Sequence, residues 1–344
     1  MRYNRDMQWD IFGHDWAVRL LQIHAAGEKL RHAYLFVGPE GVGRRTLALL
    51  FAQALNCTQP PSPGEFCGVC RDCKQIQAMR YPDLSLLVPE EGHQDVRIDQ
   101  VRDLQHTLAL APYSAAFRIA LLPNFQHVTI QAQNALLKTL EEPQDKVILL
   151  LTVDAIESLL PTIISRCEVI RLRPASIKET QRYLQTTKDI EEEKAVLIAH
   201  LSGGRIGMAI RMVDDPQVLA SREEAIVNIF DLVTARIYER FKYAEGLTNP
   251  YDLARERVGA VLQIWLSFWR DVFIRTSGST LPLVNMDIEA QVVQIASSLD
   301  ANFVRGLVVA HERAIWELER NANVRLLLET LLLGWPRVEQ TESL

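Results

Sequence analysis

What this 344-residue sequence lacks narrows it first. No apolar run reaches the ~18 residues a membrane-spanning helix needs; the longest, Val147–Val153, is strand-sized. Basic residues are not in excess: 37 Lys and Arg against 43 Asp and Glu leave a net charge of −6. A protein that gripped nucleic acid alone would ordinarily be basic, so any DNA contact must come from a local patch or an assembly. Internal repeats and low-complexity tracts are missing, and so are the paired metal-binding carboxylates of a polymerase palm. Met1–Asp15 carries Arg2, Arg5, Asp6, Asp10 and Asp15, which is not a signal-peptide pattern, so the cytoplasm is the expected location. Disorder is excluded by a hydrophobic fraction of 48% against 23% charged. The length, divided by about 150, suggests two to three domains.

What is present alternates. A helical pattern over 11–35 leads to the apolar run Ala33–Val37, a glycine-rich turn from Gly38 to Gly43, and helix formers from Arg44 to Leu55. Further strands are expected at Leu84–Val88, Arg118–Leu122, Lys146–Thr152 and Val169–Leu172. Helices are expected from Asp99, over Ile130–Glu142 and over Leu159–Ser165. This order predicts a parallel α/β sheet over residues 1–173. After Pro174 only helical patterns remain: Ile177–Gln185, Glu192–His200, Gly207–Val213, then Pro216–Leu333 with breaks at Asn249-Pro250, Gly278–Pro282 and Asp300. The tryptophans of this part, Trp265, Trp269, Trp316 and Trp335, read as core or interface aromatics.

The glycine turn matches the spacing of a phosphate-binding loop, in which backbone N–H groups cradle phosphate, Lys neutralises charge and Ser/Thr holds Mg²⁺. Gly38, Gly41 and Gly43 stand in that pattern, but Arg44 takes the lysine place and Arg45 the hydroxyl place. Arginine is a poor replacement for a compact ammonium, and Arg45 cannot ligate a cation. Thr46 comes one residue late, which turns it by about 100° around the helix. A bare strand-to-helix turn and a vestigial phosphate site both stay open from these residues. The acidic pair that should follow the strand Ile119–Leu122 is replaced by Pro123-Asn124, which offers no carboxylate to hold Mg²⁺ or activate water. Both halves of the hydrolytic site are altered, so no intrinsic ATPase is expected. Anion or nucleotide binding by the Gly41–Gly43 backbone stays open, since helix N-termini bind phosphate without lysine.

Cys57, Cys67, Cys70 and Cys73 fall within 17 residues, the last three spaced C-x-x-C-x-x-C; Cys167 stands alone. In a reducing compartment such a cluster points to metal before disulfide. Four thiolates suit Zn²⁺ in a closed, structural site, and Pro60, Pro61, Pro63 and Gly64 turn the chain so that Cys57 can join. Four free or buried thiols are the alternative.

Gly13-His14, His32–Phe36 running into the glycine loop, Asn134–Pro143 and Leu160–Cys167 together resemble the clamp-loader branch of the AAA+ superfamily. The resemblance covers the first 215 residues; the helical remainder matches by length and helix content. It implies an AAA+-like α/β domain at 1–173 with a zinc module at 57–73, a helical lid at 174–215, a helical collar for oligomerisation at 216–338 and a tail at 339–344. It implies a non-hydrolysing subunit of the bacterial replicative polymerase III holoenzyme that helps to load the sliding clamp onto primed DNA. The polymerase activity belongs to the holoenzyme. The implied partners are tau/gamma-type and delta-type loader subunits, with clamp and primer-template DNA reached through the complex. In active relatives a lid arginine senses the γ-phosphate; that place here holds Gly207, with Arg205 out of register. The resemblance also assigns Arg166, in Ser165-Arg166-Cys167, as an arginine finger for a neighbouring subunit, against the plainer reading of a buried arginine paired with a local carboxylate. The competing functions are an active AAA+ motor of the same loader or a related DNA-remodelling ATPase, and a zinc-dependent nucleic-acid module. The net charge of −6 and the absence of basic residues between Cys57 and Cys70 count against the last, for which Arg71, Lys74 and Arg80 are too few.

Overall fold

The computed structural model describes residues 9–90, 93, 95–113, 115–250, 254–320 and 322–338. The expected tail at 339–344 and residues 1–8 of the expected α/β domain lie outside them. Within the described residues the chain forms two compact units, Met1–Ser176 with Gly204–Met208, and Ile177–Gly203 with Ala209–Leu344. The segment expected as a lid thus contributes 174–176 and Gly204–Met208 to the first unit and groups otherwise with the second.

The first unit is built on five parallel strands, β1 (Ala33–Val37), β2 (Leu84–Leu86), β3 (Arg118–Leu122), β4 (Val147–Val153) and β5 (Glu168–Arg171), in the order β2-β3-β4-β1-β5. β1, β3 and β4 are buried along their whole length, as strands covered on both faces must be, and their sequences are accordingly apolar apart from Arg118 and Thr152. The sheet carries helices α1 (Asp15–Ala25), α2 (Arg44–Asn56), α3 (Arg71–Gln77), α4 (Ile98–Leu108), α5 (Ile130–Glu141) and the single-turn α6 (Pro161–Ile164). The expected α/β alternation is present, with shifted ends. The first helix starts only at Asp15, and β2 stops two residues early, where the Val88 carbonyl accepts from Gln100 Nε2 at 2.9 Å.

Two local causes show how sequence sets these elements. Thr129 caps α5 by accepting from Ala132 N–H, and Pro143 lies just beyond its end. Between them Ala132, Gln133, Leu136 and Leu140 face the core. At the opening of β3, buried Arg118 donates to Thr107 O, Ala111 O (both 2.7 Å) and Asp83 Oδ1 (3.1 Å). The Asp83 carboxylate in turn accepts from Tyr113 N–H at 2.8 Å and Ala115 N–H at 3.1 Å. One buried ion pair therefore pins the connection between α4 and β3.

The second unit is all helical. α7 (Ile177–Lys188) packs with α8 (Glu192–Ser202) around Leu184, Ala195, Ile198 and Ala209, the last on α9 (Ile206–Asp214). α10 (Pro216–Thr234), α11 (Ile237–Leu247), α12 (Ala254–Thr276), α13 (Glu289–Ser297), α14 (Ala301–Glu319) and α15 (Val324–Leu333) share one core. Besides the expected breaks, the helical pattern is also divided at Ala235-Arg236, between α10 and α11, and α14 and α15 are separate helices. Trp265, Trp269 and Trp335 meet in that core with His311, at ring separations of 4.7 to 6.4 Å. Trp316 is 52% exposed, with Arg320 stacked on its ring at 3.6 Å. Arg240 donates to the carbonyls of Leu232, Leu332, Trp335 and Pro336, taking up orphaned oxygens at the ends of α10 and α15. Among the described residues no helix is long and apolar enough to cross a membrane.

Candidate functional site

The glycine loop joins the C-terminal end of β1 to α2, at the carboxyl edge of the sheet where open α/β folds bind ligands. Its glycines are structurally required. A Cβ on Gly38 would lie 2.4 Å from Leu172 O, while Gly41 (φ +80°) and Gly43 (φ +105°) hold left-handed backbone. Gly43 is the N-cap of α2 and offers no side-chain cap. His14 Nε2 donates to Val42 O at 2.9 Å; burial pushes its pKa down, so it serves as a neutral donor.

Arg44 is buried at 6% exposure and forms an ion pair with Asp154, just past the end of β4. Asp154 also accepts from Gln126 Nε2 at 2.7 Å. Arg44 Nη1 is buried without a partner. Arg45 and Thr46 are exposed, and Arg45 reaches Met79 Sδ. Asn124 takes left-handed backbone (φ +51°), and its N–H donates to Thr152 Oγ1 at 3.0 Å. The structure thus gathers Gly38–Arg44 and Asn124 near one end of the sheet. It adds Asp154 and Thr152, to which the sequence reading gave no role, and His14, which entered that reading only through the resemblance. Asp154 had a signal: it is a carboxylate directly after an apolar strand, where side chains emerge at the carboxyl edge.

Arg166 lies elsewhere on this unit, in the turn between α6 and β5. It is one-third exposed, donating to Glu141 Oε1 at 2.6 Å and Thr162 O at 2.9 Å. A carboxylate partner is therefore present, but the guanidinium is at the surface and not buried. The Asn134–Pro143 segment positions it. Glu141 ends α5, and Gln133 of the same helix accepts from Leu160 N–H at 3.2 Å, holding the start of α6. Cys167 beside it is a lone thiol pushed up to about 12 by burial.

The four clustered cysteines sit at the far end of α2. Their Sγ atoms all lie within 4.8 Å of one another. Backbone N–H groups of Cys67, Cys70 and Cys73 donate to the sulfurs of Cys57, Cys67 and Cys70 at 3.2, 3.2 and 3.4 Å. Against the cost of burial, bonds from Cys73 N–H, Thr58 and neighbouring thiols hold the Cys70 thiol down to about 6; burial pushes Cys57 and Cys73 up. A tetrahedral thiolate site has S–S edges of about 3.8 Å, so this cluster could close on one ion with little movement. The knuckle is anchored on the rest of the unit. Phe66 packs edge-on against Trp9 at 5.8 Å, and Gly64 lies so close to Gln22 O that a Cβ would meet it at 2.2 Å.

Residues 13–176 match the family described as "DNA polymerase III, delta subunit". The DNA polymerase III subunit delta' of Bacillus subtilis (strain 168) is 27% identical over 316 residues, 92% of this chain and 94% of that protein. This chain is similar to the delta-prime subunits of DNA polymerase III over most of its length. The delta' subunit of Pseudomonas aeruginosa is 42% identical over 136 residues, 40% of this chain and 41% of that protein. The tau subunit of Escherichia coli (strain K12) is 31% identical over 359 residues; the match takes in 97% of this chain but only 55% of that longer protein. The family match holds the glycine loop, the cysteine cluster and Arg166 together, and it ends where the helical second unit begins.

Proposed function

We propose that this clamp-loader subunit does not hydrolyse ATP itself and instead completes the site of a neighbouring ATPase subunit with Arg166. The observation that carries the reading is the contrast between two places in one unit. The chain's own phosphate loop has Arg44 tied to Asp154, and Pro123-Asn124 stands where the acidic pair should be. Meanwhile Arg166 sits at the surface on a helix turn that α5 holds in position. A guanidinium there can turn from Glu141 to a γ-phosphate with its planar fork intact. The proposal includes the three-part organisation inferred above, with 216–338 as an oligomerisation collar. It also includes tau/gamma-type and delta-type partner subunits, clamp and primer-template DNA met through the complex, and a cytoplasmic setting.

The four cysteines would hold Zn²⁺. With four protein ligands no coordination position is left for water, so the ion supplies cross-linking and no chemistry. Cys57, Cys67, Cys70 and Cys73 would then tie the end of α2 to the start of α3, and through Phe66 and Gly64 to Trp9 and α1.

The decisive experiment is a loader assembled with Arg166→Ala in this subunit alone. Assembly should survive, while ATP turnover at the adjacent active subunit falls by roughly 10³-fold or more, the scale of a trans-supplied finger. Failure to assemble would make Arg166 structural; unchanged turnover and loading would remove the finger assignment.

A further inference from the structure

Arg166 is held from two sides. Its Nη1 donates to Thr162 O at 2.9 Å and to Ser165 Oγ at 3.3 Å, both in its own turn after α6, and Ser165 Oγ donates in turn to Thr162 O at 3.1 Å. Its Nη2 donates to Glu141 Oε1 at 2.6 Å, 25 residues away in sequence. The two arms of the fork therefore meet different partners: neutral oxygens of the local segment, and an anion on another helix. Glu141 is the last residue of α5, where the helix dipole disfavours a carboxylate. Helix energetics do not account for an acid at that place; the guanidinium opposite it does. Arg166 is one-third and Glu141 one-half exposed, so the pair can open without stranding a buried charge. Its spacing is set from outside the pair, since Gln133 Oε1, earlier on α5, accepts from Leu160 N–H at the start of α6 at 3.2 Å.

We propose that Glu141 is a catch for Arg166: its carboxylate occupies the anion place of the guanidinium until a phosphate of the neighbouring subunit's ATP displaces it. This rests on the finger reading above and goes further, because it names the residue that holds the finger back and expects its removal to raise activity. Nη1 keeps Thr162 O while Nη2 exchanges carboxylate for phosphate oxygen, with no bond made or broken covalently. Glu141 is a positioning residue that acts through Arg166. Its effect is bounded by the strength of one half-exposed ion pair, about three- to fivefold.

The test has two readouts. In the full chain alone, the rate at which phenylglyoxal modifies Arg166, followed by mass spectrometry, reads the contact itself and needs no neighbour. Glu141→Gln should speed it about three- to fivefold. Glu141→Asp, which keeps the charge, should restore most of the protection. Glu142→Gln, the same charge change at the exposed next residue, should match wild type. In the assembled loader, Glu141→Gln in this subunit alone should raise kcat/KM for ATP by the same factor, chiefly through a lower KM, and should add nothing to Arg166→Ala. A lower kcat in Glu141→Gln would give the residue an assisting role and overturn the catch. So would labelling of Glu141→Gln equal to wild type, or equal effects of Glu141→Gln and Glu142→Gln. Loss of turnover in Arg166→Ala with no gain in Glu141→Gln defeats the catch and leaves the finger reading standing; turnover unchanged in Arg166→Ala defeats both.

Discussion

His311 shows what burial does to one ionisable side chain. Its Nδ1–H donates to Leu307 O at 2.7 Å, its Nε2 has no partner, and Trp265, Trp269 and Trp335 surround it. Burial outweighs that hydrogen bond and pushes its pKa from 6.5 down to about 4. The unfolded chain therefore takes up a proton that the folded one refuses between these two values. Stability is full above pH 6.5 and falls as pH drops toward 4, by about 3 kcal/mol from this one group. Urea midpoints at pH 7 and pH 5 should fall further for wild type than for His311→Gln; equal drops would rule the residue out as the source. Asp83 and Arg118 present the opposite case, a buried charge that is paired. Asp83→Ala would leave Arg118 buried without its carboxylate and should cost about 3–5 kcal/mol in urea unfolding. Asp83→Asn, which can still accept from backbone N–H groups, should cost less.

At the scale of elements, α2 is the part to watch, since its two ends carry different chemistry. Its N-terminus is the glycine loop, and its C-terminus runs directly into Cys57. Near that end, Gln53 Nε2 donates to Cys73 O at 2.9 Å, and Asn56 exchanges two hydrogen bonds with the backbone of Phe117. Metal analysis of the purified chain should give close to one Zn²⁺ per chain, with Zn–S distances near 2.3 Å. Cys70→Ser should release the ion and loosen residues 57–73 to proteolysis, while the sheet, held by its own strand ladder and core, keeps its cooperative unfolding. Four freely titratable thiols in the folded chain would remove the metal. The pattern of these sulfurs was legible in the sequence because C-x-x-C spacing is local. The anchoring of the knuckle on Trp9 and Gln22 was not, because those contacts span more than 40 residues of chain.

For the whole molecule, the altered loop and altered acidic pair make a joint statement. Arg44, Arg45, Pro123 and Asn124 leave no lysine and no hydroxyl at the usual loop places and no carboxylate directly after β3. The isolated chain should hydrolyse ATP no faster than background. A measurable rate that disappears in Gly43→Asp would show the loop to be active after all.

The sequence by itself determined the alternation of apolar strands and amphipathic helices, the glycine loop with its missing groups, the cysteine knuckle and the loss of strands after residue 174. Each of these is written in neighbouring residues, through side-chain period, turn chemistry or ligand spacing. Tertiary structure alone decided the rest. Strand order placed β1 between β4 and β5, and that brought Asp154 to Arg44 across 110 positions of sequence. Packing sorted four similar tryptophans into three buried and one exposed. It also set Gly207 N–H against Gly41 O, where the sequence had suggested only a missing arginine. The physical reason is common to all three. Which charge meets which, and which surface is covered, depends on how distant segments are laid together, and local pattern carries no record of that.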